Sequence, residues 1–201
     1  EMKKTTYKVL ISALLTGFAG TAHAAGTLVY CSEGSPAGFD SAQFTAGTDF
    51  DAGANNVFNP LVQFPRGETL ASPALAEKYE VSEDGLVYTF HLRKGVKFHT
   101  TRYFTPTRDF NADDVVWTFD RLGNKENAFN KAYPVEFPYF SDMGLAENIK
   151  SVEKVDDYTV KMTLAKNDAS FIQTMAMPIG SIYSAEYAEQ LLKEGKAEMI
   201  N

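Results

Sequence analysis

The sequence is poor in cysteine, histidine and tryptophan, and it has no excess of positive charge. Its single cysteine, Cys31, has no partner among these 201 residues for a disulfide or a cysteine-based metal cluster. Lysine and arginine number 19 against 26 acidic residues, so the net charge is −7. Because nucleic-acid binding needs a surplus of positive charge to contact phosphates, this balance excludes that class of protein. The one long apolar run is too short to span a membrane.

The composition that remains is that of a folded globular protein. Hydrophobic residues make up 44% of the chain and charged residues 22%, values that exclude a disordered protein. Fifteen phenylalanines and ten tyrosines supply enough bulk for a core. The length fits one large domain or two small ones.

The first residues have the three parts of an export signal. Three lysines within residues 3–8 precede an apolar run at residues 9–19, and an Ala-His-Ala tripeptide follows at residues 22–24. This order predicts a signal peptide over residues 2–24 and a mature chain that begins at Ala25. The residues before Cys31 do not match a lipidation site, so we expect a soluble protein in the periplasm.

Export makes Cys31 unusual, because a free thiol is prone to oxidation in an oxidising compartment. Either Cys31 is buried and inert, or its partner lies on sequence outside these 201 residues. Residues 196–201 contain no closing element of their own. We therefore expect the chain to be part of a longer protein.

Spacing of apolar residues predicts mixed helices and strands after a loop of small residues that extends to about residue 57. Residues 88–92 alternate as a half-buried strand, and the turn at 94–95 predicts a returning strand over 96–98. Further patterns predict a helix over 112–122, a hairpin from 152–155 and 159–164, and helices over 169–177 and 185–194. Irregular alternation of this kind is typical of α/β or α+β architecture.

Motifs of enzyme chemistry are lacking. The sequence has no nucleophile elbow, zinc-protease motif, phosphate-binding loop or dinucleotide fingerprint. His91 and His99 are interpreted as scaffold residues, and no local signature supports a Ser-His-Asp triad. Asp113 and Asp114 follow the N-cap Asn111, where carboxylates stabilise a helix start. We therefore predict that the protein is not an enzyme and uses no cofactor or metal.

Four segments in fixed order carry a family resemblance. They read PALAEKY at residues 73–79, VSEDG at 81–85, YTFHLRKGVKFH at 88–99 and FNADDV at 110–115. This series resembles the signature of the peptide/nickel class of periplasmic solute-binding proteins, the receptors of ABC importers. Within that class, LVYCSEGSPAGF at residues 28–39 and TPTR at 105–108 are most similar to the dipeptide-binding members.

The resemblance implies a fold and a division of the chain. Members have the periplasmic binding protein-like class II fold, a mixed α/β receptor of two lobes, and are more than twice as long as this chain. The chain would then be most of the N-terminal lobe. Residues 25–57 would start lobe I, residues 58–180 would form its extra subdomain, and residues 181–201 would return into lobe I.

The resemblance also implies a ligand site. The ligand loop of the first lobe maps onto Thr45, Ala46, Gly47 and Thr48, whose small side chains allow close backbone contact with a peptide. A plain surface turn is the alternative interpretation of this loop. In dipeptide-binding relatives the cysteine that pairs with Cys31 would lie beyond Asn201.

The function implied is capture of dipeptides or short peptides by a receptor that is monomeric at full length, for delivery to a membrane permease. The same receptor class also takes haem, glutathione, antimicrobial peptides or nickel. Two alternatives from other classes are an exported hydrolase and a stand-alone lobe that acts as a chaperone-like module.

Overall fold

The structure is a computed structural model that describes Thr27 and residues 29–201. The chain divides into the segment Glu1–Ser32 and the body Glu33–Asn201. The predicted signal peptide, residues 2–24, lies outside the described residues. In the first segment the described residues are irregular and exposed. All elements below belong to the body.

A four-stranded antiparallel sheet forms the centre of the body. The strands of the body are β1 Val62–Gln63, β2 Ser72–Pro73, β3 Ala76–Val81, β4 Val87–Leu92, β5 Ile149–Asp156 and β6 Thr159–Leu164. The spatial order of the sheet is β3-β4-β6-β5, and a separate two-stranded ribbon joins β1 to β2.

The two central strands alternate as the sequence predicts. Tyr88 and Phe90 on β4, and Val160 and Met162 on β6, point into the core, while their neighbours along each strand are half-buried. The period of two places every second side chain on one face, and that face is the buried one. The predicted hairpin of β5 and β6 is confirmed.

The returning strand predicted over residues 96–98 is wrong. Gly95 has a φ of 71°, which turns the chain away from the sheet, and residues 96–98 are irregular. Both edges of β4 are already occupied, because β3 pairs with one and β6 with the other. The hairpin partner of β4 is therefore the strand that precedes it.

Seven α-helices and two 3₁₀ turns complete the described part of the body. The helices are α1 Gly47–Ala52, α2 Ala112–Gly123, α3 Ala128–Ala132, α4 Pro138–Asp142, α5 Leu145–Asn148, α6 Phe171–Met175 and α7 Ala185–Glu194. The 3₁₀ turns are Pro178–Gly180 and Ala197–Ile200.

The long helices begin where their capping residues predict. The side chain of Asn111 accepts from the N–H of Asp113 at the start of α2 (2.9 Å). Ser184 caps α7, and Gly195 ends it with a φ of 67°. Helix α6 is shorter than predicted, because the side chain of Asp168 closes a turn on Ser170 before the helix begins.

The core has two parts, and α2 contributes to both. Phe119 packs into the larger cluster, which the sheet, α2 and α6 enclose. Trp117 packs against the smaller cluster, which surrounds α7. Its ring lies 5.4 Å from that of Phe129, edge to face. Helix α2 therefore joins the sheet to the α7 region.

Candidate functional site

The predicted ligand loop lies at the start of helix α1. Ala46 is the N-cap residue, and Gly47 and Thr48 are the first two residues of the helix. Ala46 and Gly47 are exposed, while Thr45 and Thr48 are half-buried. The sequence pattern predicted only a loop here, so the six-residue helix is a correction. The N–H groups of first-turn residues have no partner within a helix.

A buried carboxylate fixes this turn. Asp49 is 6% exposed and accepts from the N–H of Ala46 (3.1 Å) and from the N–H of Ala37 (2.7 Å). The first bond caps the helix, because a carboxylate at the third helical position can bond back to the N-cap amide. The second bond ties the preceding loop to the helix. Asp49 thus defines the shape of the candidate site.

The glycine at position 47 is not required by the fold. Its φ is not positive, and apart from its chain neighbours and the backbone of its own helix no heavy atom of the described residues lies within 4 Å of the place a Cβ would take. Gly38 differs, since a Cβ there would lie 2.1 Å from the ring of Phe44. The surface at Gly47 is therefore open, so a ligand can approach the backbone closely.

Behind the loop lies a buried ion pair that sequence reasoning missed. Arg121 on α2 and Asp40 are 1% and 0% exposed at their side chains, and Nη2 lies 2.5 Å from Oδ2. Tyr183 Oη also donates to Asp40 Oδ1 (2.6 Å). Burial raises the pKa of Asp40, but Arg121, Gln43 and Tyr183 together lower it by more, so the carboxyl has a lowered pKa.

One sequence signal could have found this pair. Asp114, Thr118 and Arg121 are spaced i, i+4 and i+7, so they share one face of α2, and all three are buried. The partner of Arg121 could not have been found, because Asp40 lies 81 residues away along the chain.

The two adjacent carboxylates of the FNADDV segment do not form an acid–base pair. Asp113 is exposed and pairs with Lys154 on β5 (3.0 Å). Asp114 is buried and bonds the N–H of Ala185 (2.9 Å) and the guanidinium of Arg108 (2.8 Å). The interpretation of these residues as helix-start scaffold is confirmed.

The histidines also belong to the scaffold. His91 lies on β4 with Nε2 3.3 Å from Glu80 Oε1, and His99 lies in the exposed loop after β4. Among the described residues, no group of three His, Cys, Asp or Glu side chains could hold a metal ion.

An apolar cleft of about 290 Å³ lies apart from this loop, between residues 96–104 and α7. Its walls include Phe98, Phe104 and Tyr187, and His99 lies at the same cleft. Across the part of the chain that the structure describes, none of the helices has the length and apolarity needed to cross a membrane.

Cys31 is exposed and unpaired in the described structure. The first of the two interpretations of this residue, a buried and inert thiol, is therefore wrong. A partner outside these 201 residues stays a prediction.

Comparison with known proteins identifies the family. The model of the bacterial extracellular solute-binding proteins, family 5 Middle, matches residues 71–200. The chain belongs to family 5 of the bacterial extracellular solute-binding proteins. The resemblance predicted from the four sequence segments is confirmed, and the family is one of binding proteins.

Relatives of this family 5 chain include peptide-binding and haem-binding proteins. Di/tripeptide-binding protein 1 of Pseudomonas aeruginosa is 65% identical over 177 residues, which are 88% of this chain and 33% of the relative. Heme-binding protein A of Haemophilus influenzae is 52% identical over 175 residues, 87% of this chain and 32% of the relative. The chain thus spans about a third of the length of the curated relatives it matches.

A solved structure confirms the fold class. The dipeptide-binding protein from a Pseudoalteromonas species, in complex with Met-Leu, is similar with a TM-score of 0.82 and 38% identity. The match covers 86% of this chain and 34% of that protein. The mixed helix-and-sheet body is thus the fold of part of a family 5 binding protein.

Proposed function

We propose that the chain is the N-terminal part of a periplasmic receptor that captures dipeptides or short peptides for an ABC importer. The observation that carries this proposal is the turn at Thr45–Thr48, exposed at Ala46 and Gly47 and fixed by the buried Asp49, in a chain 65% identical to a di/tripeptide-binding protein. The receptor binds its ligand without catalysis and needs no cofactor.

The turn at residues 45–48 acts as the first-lobe ligand loop. Its small side chains leave the backbone of Ala46 and Gly47 accessible. The N–H of Ala46 donates to Asp49, so the donors offered to a peptide are the N–H groups of Gly47 and Thr48 in the first turn of the helix. Main-chain hydrogen bonds of this kind give affinity without selecting one side chain. Hinge closure of a second lobe onto this loop completes the site.

We propose the division of the chain that the family resemblance implies. Residues 2–24 direct export, residues 25–57 start lobe I, residues 58–180 form its extra subdomain, and residues 181–201 return into lobe I. Cys31 pairs with a cysteine encoded beyond codon 201. The reading frame past this codon is expected to contain that cysteine and the second lobe. A stop codon at this point would contradict the two-lobed receptor and favour a stand-alone module.

Calorimetry on the complete receptor tests the ligand. We expect heat of binding with dipeptides such as Met-Leu, the ligand of the Pseudoalteromonas relative. Dipeptides recovered intact after incubation would agree with a receptor, whereas release of free amino acids would indicate a hydrolase. Absence of binding to any dipeptide would contradict the proposal.

Haem is the second candidate ligand, because a haem-binding protein is 52% identical to this chain. A titration with haemin, followed by its Soret absorbance, separates the two candidates. If the receptor binds haemin tightly and does not bind dipeptides, its ligand is haem and not a peptide. The loop at residues 45–48 could then be tested by substitution in the same assay.

A further inference from the structure

Arg121 lies in the last turn of α2, with its side chain 1% exposed. The guanidinium carbon lies 5.0 Å from the ring centre of Phe137, 5.4 Å from that of Phe129 and 5.5 Å from that of Tyr183. Three aromatic rings therefore surround the cation and exclude water. Cation–π contacts of this kind orient the guanidinium as well as attract it.

Asp40 faces Arg121 and uses both carboxylate oxygens. Oδ1 accepts from Tyr183 Oη (2.6 Å), from the N–H of Ala42 (3.1 Å) and from Arg121 Nη1 (3.3 Å). Oδ2 accepts from Arg121 Nη2 (2.5 Å) and from the amide of Gln43 (2.7 Å). The carboxylate therefore links the chain at residues 40–43 to α2 and to the segment before α7.

The backbone of Asp40 also stabilises the turn that follows it, at residues 40–44. The carbonyl oxygen of Asp40 accepts from the N–H of Gln43 (3.0 Å) and from that of Phe44 (3.3 Å). Five residues beyond Phe44, Asp49 bonds the amides of Ala37 and Ala46. The loop at residues 45–48 therefore lies between two buried carboxylates, each of which bonds backbone N–H groups.

Stability alone is a weak reason for such a pair. Removing two charges from water is expensive, and apolar side chains of similar volume often stabilise a core as well or better. An apolar side chain at position 40 could not accept the hydrogen bond that the N–H of Ala42 donates to Asp40 Oδ1. The geometry thus favours a role in placing the backbone.

We propose that Asp40, Arg121 and Tyr183 are positioning residues for ligand binding, which hold residues 40–44 so that the loop at 45–48 is presented in one conformation. This inference rests on the proposed function of that loop. A loop already ordered in the free receptor binds more tightly, because less conformational entropy is lost on binding.

The test is a triple variant of the complete receptor, Asp40→Leu with Arg121→Met and Tyr183→Phe, which removes the polar groups together and leaves no unpaired charge. Hydrogen exchange is read at the amides of Ala42 and Ala46, and peptide affinity by calorimetry with Met-Leu. We expect exchange at these two amides to accelerate by about tenfold or more, and affinity to fall by about tenfold, while the sheet amide of Leu164 is unchanged.

Arg108→Met is the matched control. It removes an ion pair at the other end of α2, where Arg108 contacts Asp114 at 2.8 Å. We expect it to lower the melting temperature without faster exchange at Ala42 and Ala46. If the triple variant does not fold, Tyr183→Phe alone removes one bond to Asp40, and we expect faster exchange at Ala42.

Three results would overturn the inference. Unchanged exchange at Ala42 and Ala46 would show that the network does not hold the loop. Equal acceleration at Leu164 would show a global loss of stability only. Faster local exchange with unchanged affinity would show that the loop position does not matter for the ligand. A wild-type receptor that binds no peptide contradicts the proposed function instead, and the exchange pattern still decides whether the network holds the loop.

Discussion

Asp40 and Tyr183 are buried, hydrogen-bonded to each other and shifted in pKa by their surroundings, so both make stability depend on pH. The pKa of Asp40 is lowered: burial raises it, but the hydrogen bonds from Arg121, Gln43 and Tyr183 and the charge of Arg121 together outweigh that effect. The pKa of Tyr183 is raised well above its usual value, by burial and by the neighbouring Asp40 charge. Each group therefore stays in one protonation state over the neutral range.

The first prediction concerns Asp40→Asn. Because the folded-state pKa is below the usual 3.8, the ionised carboxylate stabilises the fold fully above about pH 4, and this contribution is lost as the pH falls further. We expect the variant to be less stable than wild type at about pH 7, and the difference to shrink toward about pH 3. Urea unfolding at both pH values measures it, with the exposed Asp142→Asn as control. If the variant and the wild type differ in free energy of unfolding by the same amount at both pH values, the prediction is contradicted.

The second prediction concerns Gly47→Val. Since the position is open, we expect the free energy of unfolding to change by less than about 1 kcal/mol. We expect dipeptide affinity of the complete receptor to fall by about tenfold or more, because the side chain blocks approach to the backbone. Gly38→Ala is the contrasting variant: its Cβ would meet Phe44, so we expect a loss of about 1–3 kcal/mol. Unchanged affinity in Gly47→Val would argue for a plain surface turn.

At the scale of elements, the sheet depends on its two central strands. Phe90 on β4 is 0% exposed and packs in the larger core cluster, while the neighbouring Thr89 points to the other face and is half-buried. We expect Phe90→Ala to lower the free energy of unfolding by about 3–5 kcal/mol, because a cavity replaces the ring. Thr89→Ala is expected to change it by less than about 1 kcal/mol. Chemical denaturation followed by circular dichroism measures both, and equal losses would contradict this orientation of β4.

The elements that the sequence predicts well are those defined by local patterns. Helices α2 and α7 have capping residues next to an apolar stripe, and β4 and β6 alternate strictly, so each is visible within a dozen residues. The partner of β4 is not a local property. A turn signal after the strand indicated a return over residues 96–98, but tertiary pairing with β3 and β6 decided the outcome.

The candidate site is less predictable than the fold for the same reason. Residues 45–48 were identified only through a family resemblance, since small residues alone do not distinguish a ligand loop from a surface turn. Asp49 fixes the turn through nearby amides, but the network that we propose to hold residues 40–44 is long-range: Asp40 pairs with Arg121 and Tyr183 across 81 and 143 positions. A single sequence contains no signal for contacts at such separations.

At the scale of the whole molecule, the body exposes a small apolar patch, Phe39 and Val57, near the C-terminal end of α1. Phe39 and Val57 are 53% and 54% exposed. Their backbones meet at Gly53: the N–H of Val57 donates to the Gly53 carbonyl oxygen (2.8 Å), and the carbonyl oxygen of Phe39 lies 3.3 Å from the place a Cβ of Gly53 would take. Patches of this kind on a monomer mark surfaces that another part of the protein covers. In the proposed receptor, the chain encoded beyond codon 201 covers it.

The last prediction follows from that patch. We expect the 201-residue chain alone to self-associate and to bind the apolar dye ANS, because the patch is uncovered. The double variant Phe39→Ser and Val57→Ser is expected to reduce dye binding and association in size-exclusion chromatography. Leu70→Ser is the control, since Leu70 is 71% exposed but lies in the loop between β1 and β2. If the control reduces association as strongly as the double variant, the association does not depend on this patch. In the complete receptor we expect the double variant to lower the melting temperature instead, because the proposed remainder of the chain would cover the two side chains.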